Sequence, residues 1–432
     1  MRIFNALYMA LLCIALLTQQ AFAQGLPANP AEKQGPLDFN SFLQAVLQHN
    51  IAYAAEKFNV NIAEAEVMAA RVFPDPEISM GWFDNGERRL NMGYGFSSEL
   101  TWTLALGGKR KARIDLAKNQ ASLVQLLLAD YLRNMRADAT LSFLQAMQNQ
   151  RLLEVLRQSH QNMLEIANAD SIRFKLGAIS EVDARQSKLE AASLYNEIIQ
   201  AEADWRTSLT DLSVWLGQNP DSYILPATQE LTGFVRQWPL AELIVEAQNN
   251  RVDLKAALQQ KSIAESTLRL AKANRALDLG LSVAVEQNAY ARNIIAPTPA
   301  FTKVSAGLSV PLKFSNRNKG ELLAVNYEIV QNEKQYLQLE LEVSAQVTQA
   351  HQRYLAAQKQ LQHFDHGMLQ NAKAILDGKI YSYNRGESSL LEVLNAQRTY
   401  NELQLTYYQT RYLQAMTLVE LERAAGIWDI NF

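Results

Sequence analysis

Between residues 90 and 104 hydrophobic and polar positions alternate strictly. Leu90, Met92, Tyr94, Phe96, Ser98, Leu100, Trp102 and Leu104 take the even places, while the odd places hold only Asn, Gly, Ser, Glu and Thr. A period of two marks a strand with one apolar and one polar face. Ile78, Met80 and Trp82 alternate likewise just upstream. In the second half of the chain, Leu279, Leu281, Val283 and Val285 precede Val304, Ala306, Leu308, Val310 and Leu312. The pattern predicts strands at about 77–84, 90–104, 278–286 and 301–313. Half-buried hairpins of a soluble domain alternate in the same way. Length separates the two cases, because residues 90–104 supply the roughly 9 to 11 that a tilted strand needs to cross a bilayer. Trp82, Tyr94, Phe96 and Trp102 suit the aromatic girdles of such a wall. Pro311 is compatible with a strand only near its end.

Everything else reads as helix. From Lys109 to about Lys175 there is neither proline nor glycine, and at 1.5 Å per residue such a helix reaches about 100 Å. The matching stretch from Glu321 to Tyr383 is interrupted only by Gly367 and Gly378. Leu194, Ile198, Ala201, Trp205, Leu209, Leu212 and Leu216 recur at steps of three and four, a coiled-coil seam.

Two short motifs punctuate these helices. "FKLGAIS" at 174–180 and "YNRGESS" at 383–389 place Gly177 and Gly386 209 residues apart, and each glycine lies 40 residues before another, Gly217 and Gly426. Glycine costs a helix interior about 1 kcal/mol relative to alanine, so one between long helical stretches marks a turn. "NIAEAEVMAAR" at 61–71 aligns with "SIAESTLRLAK" at 262–272, and "LTWTLALGGKRKA" at 100–112 with "LSVPLKFSNRNKG" at 308–320. The chain is therefore a duplication. The first repeat covers 24–217, with a helical hairpin at about 109–217. A linker covers 218–237, and the second repeat covers 238–432, with a hairpin at about 318–426 and a C-terminal tail.

The first 23 residues carry Arg2, an apolar stretch from Ala6 to Leu17 and the small-x-small sequence Ala21-Phe22-Ala23, the form of a cleaved secretory signal peptide. Cys13, the single cysteine, lies inside that stretch after Leu12, where a lipoprotein signal wants a small residue. Cleavage after Ala23 leaves no disulfide and no lipid anchor. The net charge of −3 gives no electrostatic footprint for nucleic acid. Beyond the signal there is no uninterrupted apolar run of 18 residues, so a membrane location has to rest on the strands. Four strands cannot close a barrel, and an open sheet edge cannot face lipid. Three chains would supply twelve strands and two would supply eight.

The signal peptide, the duplicated helix-strand-strand-helix-helix unit and the glycine-marked tips together resemble the TolC family of outer-membrane efflux channels, over essentially the whole mature chain. The resemblance implies a mainly α fold with a small β part. It implies a homotrimer whose twelve-stranded barrel spans the outer membrane of a Gram-negative bacterium and continues into a periplasmic tunnel of helices. The tunnel end would meet a periplasmic adaptor and an inner-membrane pump. "FPDPEIS" at 73–79, "LGGKRKARI" at 106–114 and "SVPLKFSNRNKGE" at 309–321 are most similar to channels of the heavy-metal resistance-nodulation-division pumps, of the cobalt, zinc and cadmium kind. Heavy-metal cations are then the expected cargo. A drug efflux or type I secretion channel of the same family is the alternative. A periplasmic adaptor or structural coiled-coil protein would also show long hairpins, but an adaptor has one hairpin and nothing able to cross a bilayer. A self-standing porin would not be mostly helical.

Six residues beyond each tip glycine stand Asp183 and Glu392, the second within "LLEVLNA". The family's second copy often carries "DVLDA" here, with both aspartates lining the lumen as a cation-selective ring. Glu392 matches the first of these, while Asn395 replaces the second. Tyr383 matches a tyrosine that latches the closed end in the family, with Ser388 where an arginine partner would stand. The tips themselves, Leu176, Gly177 and Ala178 in the first repeat and Arg385, Gly386 and Glu387 in the second, are the expected adaptor-docking surface. "HFDH" offers His363, Asp365 and His366 as weak metal candidates, since imidazoles at i and i+3 share a helix face. A solvated polar patch explains them as well, and a passive conduit has no use for tight ligands. No cofactor and no catalytic constellation is expected: "LGGK" lacks the "GxxxxGK" spacing of a phosphate loop, and Ser97-Ser98 has no nearby base. The C-terminal "WDINF" resembles a barrel-assembly signal, but it follows a helix, where packing of the helix end is the simpler role for Trp428, Ile430 and Phe432.

Overall fold

The computed structural model describes residues 37–84, 93–219, 225–226, 234–292, 295, 297, 299–312, 318–364 and 367–430. The signal peptide, most of the linker, Leu90, Met92, Lys313, Asp365, His366 and Phe432 lie outside these residues. The first repeat runs α1 (Phe39–His49), α2 (Ile51–Ala70), β1 (Glu77–Asp84), β2 (Tyr94–Leu104), α3 (Lys109–Lys175) and α4 (Glu181–Trp215). The second runs α5 (Leu240–Asn250), α6 (Val252–Ala273), β3 (Leu279–Asn288), β4 (Phe301–Ser309), α7 (Lys319–Phe364), α8 (Met368–Asn384) and α9 (Leu390–Ala425). The fold is mainly helical with a small sheet, as the pattern predicts. Among the described residues no helix is long and apolar enough to cross a membrane.

The duplication is visible in how the helices are pinned. Asn50, between α1 and α2, donates from Nδ2 to the Trp215 carbonyl at the end of α4, at 3.1 Å. In the second repeat Arg251, between α5 and α6, donates from Nη1 to the Ala424 carbonyl at the end of α9, at 3.0 Å. Each repeat thus seats the end of its returning long helix on the junction of its two short helices. Around these junctions lies the main core. Phe39 and Phe42 of α1 meet Phe143 of α3 at ring distances of 5.7 and 5.1 Å, and Leu212, Leu254, Val347 and Leu418 bring in both repeats. Leu194, Ile198, Leu209, Leu212 and Leu216 of the expected seam are buried. Trp428 and Ile430 pack on the same core, which is the helix-end role.

The four strands form one antiparallel sheet in the order β1-β2-β3-β4. Register stacks like on like: Ile78, Leu100, Val283 and Ala306 form one row across it, and Met80, Ser98, Val285 and Val304 the next. The opposite face is more polar, with rows such as Glu77, Thr101, Ser282 and Gly307, or Gly81, Ser97, Glu286 and Lys303. The apolar face is uncovered within the chain, with Met80 70 % and Leu308 72 % exposed. Among the described residues the outer edges of β1 and β4 pair with no other strand.

Two boundaries differ from the sequence reading. Strand β4 stops at Ser309, two residues before Pro311, and β3 runs on to Asn288, because pairing with Gly95 and Phe301 continues that far. The second hairpin, expected to match the first, has a divided arm. Helix α7 ends at Phe364, and Gly367, at φ 88°, caps the start of α8 in the left-handed region. Asp365 and His366, the other two residues of the histidine motif, lie outside the described residues. Gly378, in the same arm, sits within α8 without breaking it.

Candidate functional site

The tips of the two hairpins are built from one design used twice. In the first, the Gly177 N–H donates to the Phe174 carbonyl and the Ala178 N–H to the Arg173 carbonyl, both at 2.9 Å. In the second, the Gly386 N–H donates to the Tyr383 carbonyl at 3.0 Å and the Glu387 N–H to the Ser382 carbonyl at 2.9 Å. This crossed pair satisfies the last carbonyls of a helix and requires a left-handed residue. Gly177 and Gly386 supply it at φ 74° and 78°, each in open space. Leu176, Ala178, Arg385 and Glu387 are all exposed around them, so both tips present side chains outward.

Each returning helix then starts with a serine cap. Ser180 Oγ accepts the Asp183 N–H at 3.1 Å and donates to Asp183 Oδ2 at 2.7 Å. Ser389 Oγ accepts the Glu392 N–H and donates to Glu392 Oε1, both at 3.4 Å. Asp183 and Glu392 are thus the third residues of α4 and α9, where a carboxylate meets the positive end of the helix. The two acids differ in one respect. Glu392 Oε2 takes an ion pair from Lys379 Nζ at 2.5 Å, and this bond holds its carboxyl below the usual glutamate range.

Above the tips the repeats are joined. Tyr383 Oη donates to Asp170 Oδ1 at 2.8 Å, and Arg173 lies over the tyrosine ring at 4.9 Å while its Nη1 stands 3.8 Å from the same carboxylate oxygen. Asp170 is fully buried. Burial, then the bond to Asp170, pushes the Tyr383 phenol up to about 12. Arg173 Nη2 also donates to Asn384 Oδ1 at 2.7 Å. An arginine does stand against Tyr383, Arg173 of the first repeat.

Sequence reasoning singled out Tyr383 and Glu392 but not Asp170, Arg173 and Lys379, which the structure sets against them. A signal existed. At the tip offset of 209, Lys379 corresponds to Asp170, so one pair of equivalent positions carries opposite charges. Asp183 and Glu392 are not brought together; each is held by its own cap. Among the described residues no three His, Cys, Asp or Glu side chains form a group able to hold a metal ion. Of the histidine candidates only His363 is described, in the last turn of α7.

Comparisons with known proteins place this architecture. The cobalt-zinc-cadmium resistance protein CzcC of Cupriavidus metallidurans is 23% identical over 382 residues, 88% of each chain. Among solved structures, CusC superposes with a TM-score of 0.74 at 16% identity, covering 90% of this chain and 92% of that one. The CmeC outer membrane channel of Campylobacter jejuni superposes with 0.74 at 14% identity, covering 90% and 85%. The outer membrane efflux protein family matches residues 42–218 and 243–427, one segment for each repeat. With both hairpins and the sheet between them accounted for, the chain belongs to the outer membrane efflux protein family and is an outer-membrane efflux channel.

Proposed function

We propose that three copies of this chain close a twelve-stranded barrel in the outer membrane, and that the tunnel below it carries heavy-metal cations delivered by an inner-membrane resistance-nodulation-division pump through a periplasmic adaptor. The observation that carries the assembly is the open four-stranded sheet, apolar on one face, whose β1 and β4 edges pair with no other strand among the described residues. Unpaired backbone groups in hydrocarbon cost several kcal/mol each, so the edges have to find one another between copies. Family channels are conduits, and the chain is read as one, without catalysis. The cargo reading draws support from the CzcC relative, whose name concerns cobalt, zinc and cadmium.

The exposed tips, Leu176 to Ala178 and Arg385 to Glu387, are the adaptor-docking surface in this reading, six turns around one mouth. Asp183 and Glu392 line that mouth, and Tyr383 holds it closed. Export uses the signal peptide with cleavage after Ala23, which N-terminal sequencing of the protein from outer membranes checks directly. Deleting the gene and measuring growth on a panel of metals and drugs tests the cargo. Sensitivity to cobalt, zinc or cadmium alone supports the reading, and sensitivity to drugs alone overturns it.

A further inference from the structure

Where β2 leaves the sheet and α3 begins, four of the five residues 109–113 are basic, in a chain whose net charge is −3. A helix start favours acids, so helix stability does not explain them. Lys109 is paired inside the protein, with Asp278 at 2.6 Å, whereas among the described residues no ion pair neutralises Arg110, Lys111 or Arg113. Arg110 and Arg113 share a face of α3 and lie over the end of α2. Arg110 Nε donates to the Arg71 carbonyl at 2.8 Å, and Arg113 donates to the Ala70 and Val72 carbonyls at 3.1 and 2.7 Å. These bonds leave both Nη groups of Arg110 and Nη1 of Arg113 without an acceptor among the described residues.

The same corner carries apolar surface. Phe73 lies against the Arg110 guanidinium at 4.2 Å and is 60 % exposed, and Val72 and Leu106 are exposed beside it in sequence. Trp102, on the apolar face of the sheet, gives its indole N–H to the Pro74 carbonyl at 2.9 Å, which ties this segment to that face. With its polar atom satisfied, the ring suits a dry medium. An open groove of about 610 Å³ lies between α2 and α3, lined by Val72, Phe73, Pro74 and Leu116 together with Arg113 and Glu66. The second repeat lacks this arrangement. Where the repeats align, Asn274, Asn318 and Glu321 take the places of Phe73, Arg110 and Arg113, so the strand-to-helix junction does not itself require the stack.

Unneutralised cations at the end of an exposed apolar face match an amphiphile that carries a negative headgroup on hydrocarbon. Guanidinium forks fit phosphate oxygens, and aromatic rings favour the level of the headgroups. We propose that this corner binds an anionic phospholipid, its phosphate held by Arg110 and Arg113 and its tails laid along Phe73 and the apolar face. Arg71 and Lys111 add to the attraction, as basic residues near an anionic leaflet do. A zwitterionic lipid brings the same phosphate with its own cation attached, so charge selects the anionic one. The inference rests on the outer-membrane assembly proposed above, in which the helical end of the sheet meets the periplasmic leaflet.

Native mass spectrometry of the full chain in detergent, with dioleoyl phosphatidylglycerol or dioleoyl phosphatidylcholine added, counts lipids and chains in one spectrum. One phosphatidylglycerol per chain is expected, bound at least tenfold more tightly than phosphatidylcholine and not displaced by millimolar inorganic phosphate. Arg110→Gln should weaken it at least tenfold. Because Arg110 also caps α2, the double variant Arg71→Gln/Lys111→Gln, whose side chains hold no bond among the described residues, separates charge from folding and should weaken it several-fold. Lys319→Gln, at the place of Lys111 in the second repeat, should leave it unchanged. Equal affinity for the two lipids overturns the proposal, as does displacement by phosphate, wild-type affinity in both altered chains, or an equal loss in Lys319→Gln. Phosphatidylglycerol retained on single chains would refute the trimer and keep this site, and trimers without it would do the reverse.

Discussion

Lys379 and Glu392 form an ion pair of 2.5 Å across the second tip, from the arm that enters the turn to the arm that leaves it. One repeat earlier the equivalent positions, 209 residues back, hold Asp170 and Asp183, two carboxylates. The same pair of places is attractive in one repeat and repulsive in the other. The first repeat resolves this by turning Asp170 toward Tyr383 of the second.

This pairing sets an expectation for single-channel recordings in planar bilayers. If three chains place Glu392 at the tunnel mouth, as proposed, Lys379→Ala frees three carboxylates there, so cation preference and block by multivalent cations should increase. Glu392→Ala should reduce both. Selectivity and block unchanged in Glu392→Ala would remove that residue from the pore. Because Lys379 holds the Glu392 carboxyl below the usual range, the pair persists above the ordinary glutamate pKa and is lost only as pH falls below it.

The Tyr383–Asp170 bond predicts a looser tunnel end in Tyr383→Phe. The change strands a buried carboxylate oxygen, at a cost of about 1–3 kcal/mol. Conductance of the purified channel should rise and its thermal midpoint should fall. With the phenol raised to about 12, the bond's contribution is complete below pH 10 and is lost between 10 and 12. Ultraviolet titration of wild type against Tyr383→Phe resolves one late tyrosine if the bond forms, and no difference if it does not.

Glu422, buried in α9, accepts the Asp429 N–H at Oε2 at 3.0 Å, and its Oε1 has no partner. Burial, aided by Asp429, raises it to about 8. A raised carboxyl favours folding below its ordinary pKa, and that advantage fades as pH climbs toward 8. Glu422→Gln should therefore melt at a higher temperature than wild type at pH 8.5 and at a similar one at pH 4.5. Parallel curves across that range would show that the group is not titrating.

If the sheet edges meet between copies, Ser305→Cys on β4 should crosslink with one of Glu77→Cys, Ser79→Cys or Gly81→Cys on β1. The mature chain has no other cysteine once residues 1–23 are removed. Oxidised outer membranes should give dimer and trimer bands with one partner of the three. Monomer with all three places the edges apart.

Tip substitutions separate docking from turning. Ala178→Glu and Glu387→Trp leave the glycine conformations intact, so the channel should still trimerise while efflux falls at least tenfold. Normal efflux in both moves docking elsewhere. Gly177→Val instead forces a branched side chain into the left-handed region, at about 1–2 kcal/mol or more, and should lower stability.

The parts legible in the sequence are those that one local rule dictates. Strict alternation announced the sheet, and the glycines at 177 and 386 announced the tips because few other residues complete that carbonyl-satisfying turn. Gly367 and Gly378 show where the rule stops: one breaks an arm and the other does not, and their identity alone carries no difference. Lateral pairs were the harder class. Tyr383 and Asp170 are 213 residues apart, and nothing in the period of either helix says which faces meet. The opposite charges at 170 and 379 held that information, but only once the repeats were aligned.

The polar face of the sheet mixes small residues with charged ones: Gly81 lies beside Ser97, Thr101 beside Ser282 and Gly280 beside Ser309, while Glu99, Glu286 and Lys303 share the face. In the proposed barrel of three such sheets the small residues leave the inner diameter open, while these three side chains put charge on the same face. In electrical terms the barrel of that proposed assembly is a short conductor in series with a long one built from the helices. In that proposed assembly the longer helical conductor carries the greater resistance, so a voltage or an ion gradient applied across the whole channel would be felt mainly there.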